Sequence, residues 1–424
     1  MIIVLSPPGQ LCGELIVPGD KSITHRALML GALARGTTEV RGYLNAADCR
    51  STITSLQSLG VRITERNNRL LIEGLNMQLK KPDTVLDAGN SATTARLLLG
   101  ILAGQDFQAE ITGDESLRKR PMKRVVHPLS LMGAVISGEG DTLPLGIRGG
   151  SLKAISYKTP AASAQVKSAL LLAGLFAAGT TTVEEPYQSR NHTELMLGQF
   201  GAGIRIEKTR VLVEGRPALK GTLIRVPGDI SAAAFIMVAA SIIPGSEVLI
   251  KSVGVNSTRS GIIDALRLMG ADIQLQRKEM WGREPVADIL VRGGAALQGI
   301  TVSGEMIPRL IDEIPVLTVA ALLAEGKTVI SDAAELRVKE SDRISALAGQ
   351  LAKLGAVITE SADGMIIEGG ARLTGCELES CGDHRIAMAL AVAGLAASGE
   401  TAVRGAEVIN ISYPGFMQAL RSLI

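Results

Sequence analysis

The sequence predicts an α/β protein of two similar lobes, each built from three copies of one βαβαββ unit. Two observations predict this class. An apolar helical run that closes on glycine occurs six times in the 424 residues, and an amphipathic helix leading into strands recurs between these runs. A recurring supersecondary pattern of this kind indicates one unit repeated along the chain.

The first helix of each copy has almost no polar side, so we expect these helices to be buried inside the lobes. The glycines that close them are 66 to 81 residues apart. The runs are ALMLGALARG, RLLLGILAG, ALLLAGLFAAG, FIMVAASIIPG, VLTVAALLAEG and MALAVAGLAASG, which end at Gly36, Gly104, Gly179, Gly245, Gly326 and Gly399.

The second helix of each copy has polar positions for solvent and ends in a large apolar residue before glycine. Strands follow it in SLQSLGVRIT, PLSLMGAVIS, LGQFGAGIRI, ALRLMGADIQ and LAKLGAVITE, whereas the sixth copy, YPGFMQALRSLI, stops before its strands. The first copy begins with GELIVPGD, which resembles the leading strands KGTLIRVPGD and TGCELESCGD. We therefore expect the N-terminal strand to complete the last unit, which places both ends of the sequence in one lobe.

The repeat is clearest at the two VPGD segments, 17–20 and 226–229, and the chain is expected to cross between lobes there. One lobe is then predicted over 20–228, and the other over 1–19 together with 229–424. The length of the chain exceeds the usual size of one hydrophobic core, which agrees with two lobes.

Composition argues against several classes of function. The formal net charge of +2 is too close to zero to indicate a nucleic-acid or membrane partner. The basic run RKRPMKR at 118–124 has no aromatic neighbour on which a base could stack. The longest apolar stretch is too short to span a bilayer, and the start MIIVLSPPGQ has no secretory pattern. Four cysteines without zinc or redox spacing indicate a reducing compartment, so we expect a cytoplasmic protein. We also expect a monomer.

Comparison of the copies separates architecture from function, since what all copies share belongs to the fold. Asp20 and Asp229 each precede a buried helix, where a carboxylate accepts hydrogen bonds from free N–H groups. We therefore expect both aspartates to be N-caps. Gly19 and Gly228 suit the tight turn from strand to helix.

The copies differ in the polar side chains of their first helical turns. A cation at a helix N-terminus opposes the helix dipole by about 0.3–1 kcal/mol, so several such helices indicate bound anions. An ion-paired or surface arginine explains any single position equally well, whereas the whole set favours a cleft between the lobes that holds a ligand with several negative groups. Copy four, GDISAAAF, has no cation and is expected to contribute packing only. The other copies contribute Lys21 and Arg26, Asn90 and Arg96, Ser163, Gln165 and Lys167, Asp312 and Glu313, and His384 and Arg385.

Two further stretches concentrate charge. In ELRVKESDRISAL, Lys339 and Arg343 are four residues apart and are expected to share a face at the start of a helix, beside Glu340. A solvated helix start with charged decoration explains the same pattern. In KRPMKR, Arg120 precedes a proline that restricts the local backbone.

In these stretches the chain resembles the EPSP synthase family of enolpyruvyl transferases. The combination of PGDKS with KESDR and DHRIAMA is far more specific than a lone glycine loop, and the two-lobed, sixfold fold of the family is the one that the repeats predict. The resemblance covers the whole chain. Its motifs are PGDKSITHRAL, GNSATTARLL, RPM, SAQVKSALLLAGL, SRNHTE, LIDEIPVL, RVKESDRI, GDHRIAMALAVA and SYPGF.

The resemblance implies two polyanionic substrates, phosphoenolpyruvate and shikimate-3-phosphate. It implies that Asp312 orients and deprotonates the 5-hydroxyl of the acceptor, that Glu340 protonates the methylene carbon of the donor, and that Lys21 serves both substrates. The residues implied for shikimate-3-phosphate are Lys21, Ser22, Arg26, Ser163, Gln165, Arg190, Asp312 and Lys339. Those implied for phosphoenolpyruvate are Lys21, Asn90, Ala92, Arg120, Gln165, Arg343 and Arg385.

The chemistry implied by the resemblance accounts for these residue types. Protonation of the methylene carbon leaves an oxocarbenium-like centre that the hydroxyl attacks, and loss of phosphate then re-forms the enol ether. This requires an acid and a base, fixed cations on the departing phosphate and a site closed to water. It needs no metal or organic cofactor. Which of Glu340 and Asp312 moves which proton stays open.

Two positions depart from the commonest family pattern. Ile411, in NISYPGF, stands where many members have a lysine on the phosphate, so that contact is missing or replaced. Ala92, in GNSATTAR, stands where many members have glycine, and its methyl group would shorten the phosphoenolpyruvate pocket. With DEIPVL these features resemble the glyphosate-tolerant class II subgroup. We therefore predict tolerance of glyphosate, an inhibitor longer than phosphoenolpyruvate.

Two rival functions stay open at this point. The enolpyruvyl transferases that act on UDP-N-acetylglucosamine share the fold and the donor, but they commonly carry a cysteine in the loop that here is GDESLRKRPMKR. A non-catalytic polyanion-binding scaffold is the other rival, and it would gain nothing from the carboxylates of Asp312 and Glu340.

Overall fold

The computed structural model describes all 424 residues and contains the six predicted copies, so the predicted fold class is confirmed. The strands are β1 (Ile2–Leu5), β2 (Cys12–Ile16), β3 (Arg35–Arg41), β4 (Arg62–Arg66), β5 (Arg69–Leu75), β6 (Leu86–Asp87), β7 (Gln108–Thr112), β8 (Val135–Ser137), β9 (Leu145–Arg148), β10 (Ser156–Lys158), β11 (Thr180–Glu184), β12 (Ile204–Glu207), β13 (Arg210–Glu214), β14 (Leu223–Arg225), β15 (Glu247–Gly254), β16 (Asp272–Trp281), β17 (Glu284–Arg292), β18 (Thr301–Val302), β19 (Lys327–Ile330), β20 (Ile358–Ser361), β21 (Gly364–Glu368), β22 (Glu377–Glu379) and β23 (Thr401–Arg404).

Fourteen α-helices connect these strands, and short 3₁₀ turns lie beside three of them. The helices are α1 (Lys21–Leu33), α2 (Ala47–Ser58), α3 (Ala92–Leu102), α4 (Glu115–Arg118), α5 (Lys123–Leu131), α6 (Ala164–Gly174), α7 (His192–Phe200), α8 (Ile230–Ile242), α9 (Gly261–Leu268), α10 (Ile307–Leu310), α11 (Ile314–Leu323), α12 (Arg343–Lys353), α13 (His384–Leu395) and α14 (Phe416–Arg421).

Contacts divide the chain into two units. Unit A comprises Gly19–Val226 and the tip of the β16–β17 hairpin, Met280–Glu284. It holds three four-stranded sheets, β14-β3-β5-β4, β6-β7-β9-β8 and β10-β11-β13-β12, around a core to which α1, α3 and α6 contribute. Helices α3 and α6 approach closely at Gly100, where an added Cβ would lie 2.3 Å from the carbonyl oxygen of Ala169.

Unit B comprises Met1–Pro18, Pro227–Glu279 and Pro285–Ile424. Its sheets are β16-β17-β15-β2, β18-β19-β21-β20 and β1-β23-β22, and its core includes α8, α11 and α13. These helices are interior, as their apolar character predicts: every residue of α13 is buried, and every residue of α8 except Ile242.

The prediction for the N-terminal strand is wrong in one respect. The strand of GELIVPGD, β2, pairs in parallel with β15 and completes the sheet of copy four, whereas β1 completes the sheet of the last copy beside β23. The reason is that the last copy already has its own leading strand, β22, whereas copy four has none in its unit. The chain enters unit A after Pro18, so β2 stays in unit B. The corresponding strand β14 stays in unit A and completes the sheet of copy one beside β3.

Both ends of the sequence lie in unit B. The amide of Cys12 donates to the carbonyl oxygen of Leu423 at 2.7 Å, and the α-amino group of Met1 pairs with Glu407. No helix has both the length and the apolar character that crossing a membrane would require.

The two VPGD turns are confirmed as helix starts capped by aspartate. The Asp20 carboxylate accepts from the amide of Ile23, and Asp229 accepts from the amide of Ser231, each at 2.8 Å. Gly19 is required by a close approach, since a Cβ there would lie 1.9 Å from the carbonyl oxygen of Gly42.

Candidate active site

The start of α1 carries two cations of unit A. Lys21 is partly exposed, and its Nζ is 3.0 Å from Oδ2 of Asp48. Arg26 is buried one turn later, and its Nη1 donates back to the carbonyl oxygen of Ser22 at 2.9 Å. Lys21 is therefore a partly exposed cation with a carboxylate partner.

Arg26 connects three helices of unit A. Its Nε donates to Oγ1 of Thr193 on α7 at 2.6 Å, and its Nη2 donates to Oγ of Ser168 on α6 at 2.8 Å. These acceptors are neutral hydroxyls, which orient the guanidinium without cancelling its charge. The structure thus brings Lys21, Ser22 and Arg26 together at one helix start, as predicted.

The start of α3 carries the predicted residues Asn90 and Ala92. The amide of Asn90 bridges two charged groups: its Oδ1 accepts from Nη2 of Arg120 at 2.6 Å, and its Nδ2 donates to Asp114 at 2.7 Å. Ala92 is the first residue of α3, next to the N-cap residue Ser91. The three residues predicted from GNSATTAR and KRPMKR are therefore neighbours in unit A.

Arg96, to which the resemblance assigns no substrate, joins two predicted parts of the site. Its Nη1 donates to the side-chain oxygen of Gln165, and its Nη2 donates to the carbonyl oxygen of Pro121, directly after Arg120. The Gln165 amide also donates to Thr93 at 3.0 Å. The signal was present in the sequence, because Arg96 stands one turn into a helix start that carries other candidate residues.

Copy three adds a serine at the N-cap of α6. The Oγ of Ser163 accepts from the amide of Val166, and the amide of Ser163 donates to Oε1 of Glu185 at 2.9 Å. Arg190 lies in the segment between β11 and α7, directly after Ser189. Ser163, Gln165 and Arg190 are thus carried by adjacent elements of one copy.

In unit B, one buried arginine forms ion pairs with three carboxylates. Arg343 lies 3.2 Å from Asp312, 2.6 Å from Glu340 and 2.8 Å from Asp383, measured from Nη1, Nη2 and Nε. Burial opposes the charge of Arg343, but the three carboxylates, Asp383 first, outweigh it and raise the pKa of the guanidinium. Burial likewise raises the pKa of Asp383, yet Arg343 outweighs burial and the carboxyl pKa lies below its usual value.

The predicted geometry of Lys339 is wrong, although its location is close to that expected. Helix α12 begins at Arg343 with Asp342 as its N-cap, so Lys339 precedes the helix and shares no helical face with Arg343. A 3₁₀ turn over Ala334–Val338 ends just before it. The two cations meet through Asp312 instead, since Nζ of Lys339 is 3.7 Å from the same Oδ1.

Arg385 approaches Asp312 from the start of α13. Its Nη1 donates to the carbonyl oxygen of Asp312 at 2.8 Å, and its Nη2 lies 3.8 Å from the carboxylate. Asp383 fixes this helix start by accepting from the amide of Arg385 at 2.8 Å. Asp312 is therefore surrounded by three cations of unit B, those of Lys339, Arg343 and Arg385.

Copy four is less inert than its sequence predicts. Its helix start has no cation of its own, but Arg259 supplies one from the segment before α9, with Nη2 2.7 Å from Ser231 Oγ and 3.1 Å from Asp229. The hydroxyl of Ser231 donates to buried Glu313, whose Oε1 lies 3.7 Å from Nη1 of Arg385. A polar network thus connects copy four to the Arg385 cluster.

Sequence reasoning also missed the acidic partners of the predicted cations. Asp48 faces Lys21, and Asp383 faces Arg343. One signal could have found Asp383, because SCGD repeats the Gly-Asp of the two VPGD turns at the start of copy six. Asp48 has no such repeat, since its role depends on a contact between α1 and α2.

Comparison with known proteins finds a family that matches nearly the whole chain. The family described as EPSP synthase (3-phosphoshikimate 1-carboxyvinyltransferase) matches residues 5–420. The chain belongs to the EPSP synthase family. Two proteins named 3-phosphoshikimate 1-carboxyvinyltransferase are similar to it: one from Pelotomaculum thermopropionicum, 57% identical over 98% of this chain and 97% of its own, and one from Desulforamulus reducens, 53% identical over all of both chains.

Solved structures of the EPSP synthase family show the same fold. A structure titled as EPSP synthase from Acinetobacter baumannii, at 2.37 Å, has a TM-score of 0.89 with this chain. The two sequences are 45% identical, and the match covers 100% of this chain and 98% of the other. The fold and the family therefore rest on both sequence and structural similarity.

Proposed function

We propose that this chain transfers the carboxyvinyl group of phosphoenolpyruvate to the 5-hydroxyl of 3-phosphoshikimate and releases phosphate. The observation that carries the proposal is the cluster in unit B, in which two partly exposed carboxylates, Asp312 and Glu340, share the buried cation Arg343. A site that only binds polyanions has no use for these carboxylates, whereas the transfer needs an acid and a base. The names of the similar proteins do not favour the acceptor UDP-N-acetylglucosamine.

In the proposed mechanism, Glu340 delivers a proton to the methylene carbon of phosphoenolpyruvate. The adjacent carbon becomes oxocarbenium-like, and Asp312 removes the proton of the attacking 5-hydroxyl. The tetrahedral intermediate then loses phosphate, and its methyl group returns a proton to Glu340 to re-form the enol ether. The proton that Asp312 took from the hydroxyl leaves with the phosphate, so the net products are the enol ether and phosphate.

The cations of each unit have a defined part in this proposal. Arg120, Arg343 and Arg385 bind the phosphate and carboxylate of phosphoenolpyruvate, because fixed donors stabilise a departing phosphate without reorganising. Lys21 and Gln165 serve both substrates. Ser22, Arg26, Ser163, Arg190 and Lys339 bind 3-phosphoshikimate, and Asn90 and Ala92 line the phosphoenolpyruvate side. Their grouping at three helix starts of unit A and around Asp312 in unit B supports this assignment.

Phosphate release from phosphoenolpyruvate tests the proposal directly. We expect release with 3-phosphoshikimate as acceptor and only background release with UDP-N-acetylglucosamine. Phosphate release with UDP-N-acetylglucosamine and not with 3-phosphoshikimate would indicate an enolpyruvyl transferase that acts on the nucleotide sugar. Absence of release with both acceptors, in a protein that binds phosphoenolpyruvate, would indicate the polyanion-binding scaffold.

Glyphosate tolerance follows from the position of Ala92 in this proposal. Ala92 is buried at the first residue of α3, beside Asn90 and Arg120. We expect Ala92→Gly to lower the inhibitory glyphosate concentration by about 10–200-fold, the range for one carbon in a tight pocket. The KM for phosphoenolpyruvate should change little. Inhibition curves of both proteins measure this effect.

The matched control for this prediction is Ala95→Gly, which removes a buried methyl group from the same helix three residues later. It should leave glyphosate inhibition as in the wild type, even though glycine inside a helix costs about 1 kcal/mol of stability. Equal glyphosate sensitivity of the wild type and Ala92→Gly would refute the assignment to the tolerant subgroup.

A cytoplasmic location and a monomeric state belong to the same proposal. All four cysteines are free thiols, which agrees with a reducing compartment. The proposed substrates are small metabolites, so no macromolecular partner is required for turnover.

A further inference from the structure

The most deeply buried group of charges in unit A has no part in the mechanism above. Lys167 of α6 pairs with Glu185 at 2.7 Å and with Glu194 of α7 at 2.8 Å, and all three side chains are 1% exposed. Burying three charges is costly unless each is paired and hydrogen-bonded. A fold does not need such a group for its core, which indicates that the group holds other segments in place.

Glu185 is the carboxylate of this group with contacts beyond Lys167. Its Oε1 accepts from the amide of Ser163 at 2.9 Å. Its Oε2 accepts from the amide of Ser189 at 3.2 Å and from the hydroxyl of Ser189 at 2.8 Å. Lys167 strengthens the second connection by donating to the carbonyl oxygen of Ser189 at 3.3 Å. One carboxylate thus holds two separate segments of copy three.

These two segments carry residues proposed to bind the phosphate of 3-phosphoshikimate. Ser163 is the N-cap residue of α6, and Arg190 follows Ser189 directly. A fixed carboxylate that accepts from both segments sets the spacing between the helix start and the arginine. Glu194 differs, since its Oε1 contacts Lys167 and its Oε2 has no hydrogen-bond partner.

We propose that Glu185 is a positioning residue for the acceptor phosphate, with Lys167 as the cation that permits a carboxylate to be buried there. The inference rests on the proposed function. Glu185 contacts no substrate in this assignment. It keeps Ser163 and Arg190 at the separation that a phosphate group requires, so that binding does not have to pay for ordering two loops.

Glu185→Gln tests the inference. Glutamine keeps the shape of the side chain, and its oxygen can still accept hydrogen bonds. Its NH₂ group, however, cannot accept from the groups of Ser163 or Ser189 that donate to Glu185. We expect the KM for 3-phosphoshikimate to rise about tenfold, the loss of one charge-assisted hydrogen bond. The KM for phosphoenolpyruvate should stay within about twofold, because its proposed cations are held by other contacts. Calorimetric titration of 3-phosphoshikimate should show the same loss.

The matched control is Glu194→Gln, which makes the same change to an equally buried carboxylate on the same lysine. Its KM for 3-phosphoshikimate should be close to that of the wild type. An equal increase in the KM for 3-phosphoshikimate in both variants would show that loss of either negative charge beside Lys167 is enough to weaken binding. This would overturn the positioning role of Glu185. Unchanged acceptor KM in Glu185→Gln would overturn it as well.

Ser189→Ala provides the same test if Glu185→Gln does not fold. It removes one hydroxyl donor to Glu185, and we expect a rise of about threefold in the KM for 3-phosphoshikimate alone. No rise would overturn the inference. If the wild-type protein released no phosphate from phosphoenolpyruvate with either acceptor, the proposed function itself would be overturned. That result differs from an active wild type whose variants keep the same acceptor KM, which would overturn only the role of Glu185.

Discussion

Replacement of Glu340 by glutamine is expected to lower kcat by about 10²–10⁴-fold, the contribution typical of one general acid. Glu340 lies 2.6 Å from Nη2 of the buried Arg343, and its side chain is 21% exposed, so its carboxyl group is fixed and still accessible. Glutamine retains an oxygen that accepts from Arg343 but has no proton to deliver to carbon. The KM values should change far less than kcat, which steady-state phosphate release will show.

Deuterium transfer gives a second measurement of the same step. If Glu340 protonates the methylene carbon, turnover in D₂O places solvent deuterium in the methylene group of the product. The variant should lose incorporation in proportion to kcat. Incorporation at the wild-type rate in Glu340→Gln would assign the proton transfer to another group, with Asp312 as the next candidate.

The control for Glu340 is Glu335→Gln. Glu335 is also a partly exposed carboxylate near the cluster, with its Oε1 3.8 Å from Nζ of Lys339. The change in charge and shape is identical, yet Glu335 has no proposed chemical step, and kcat should stay within about twofold because surface pairs contribute little. A similar loss in both variants would show that the net charge around Lys339 matters rather than an acid at Glu340.

The sequence predicts the fold well because the fold is repetitive. Each copy repeats the same buried helix, and comparison among copies shows which residues form the turn, as Asp20 and Asp229 illustrate. What failed was the destination of a strand. Copy four and the last copy both lie in unit B, so the crossing after β2 does not choose between them. β2 joins copy four because the strand that leads into that copy, β14, stays in unit A.

The cations of the candidate site were also predictable, and their partners were not. A cation at a helix start is opposed by the helix dipole, so its presence there stands out in the sequence. Its counter-charge can come from any distance along the chain: Asp48 is 27 residues from Lys21, and Asp383 is 40 residues from Arg343. The role of Arg259 was missed for the same reason, because its contact with copy four is made by tertiary structure.

The second large effect is expected at Lys21. We predict that Lys21→Ile lowers kcat/KM by at least about 10²–10³-fold, the range for removing one fixed donor to a developing anion. The repeat itself indicates that the variant folds, because copy four carries isoleucine, Ile230, at the corresponding first residue of its helix. The melting temperature should decrease modestly, because Asp48 loses the cation that lies 3.0 Å from its carboxylate.

Ile230→Leu is the matched control, made at the equivalent position of the copy to which we assign no substrate. Ile230 is 1% exposed, and a volume-conserving change of this kind costs under about 1.5 kcal/mol in a buried site. Turnover should therefore stay near the wild-type rate. A folded Lys21→Ile protein with kcat/KM within tenfold of the wild type would remove Lys21 from both substrate sites. A large loss of activity in both variants would mean that activity depends on the packing of the two helix starts. The loss in Lys21→Ile would then be no evidence for a role of the Lys21 charge.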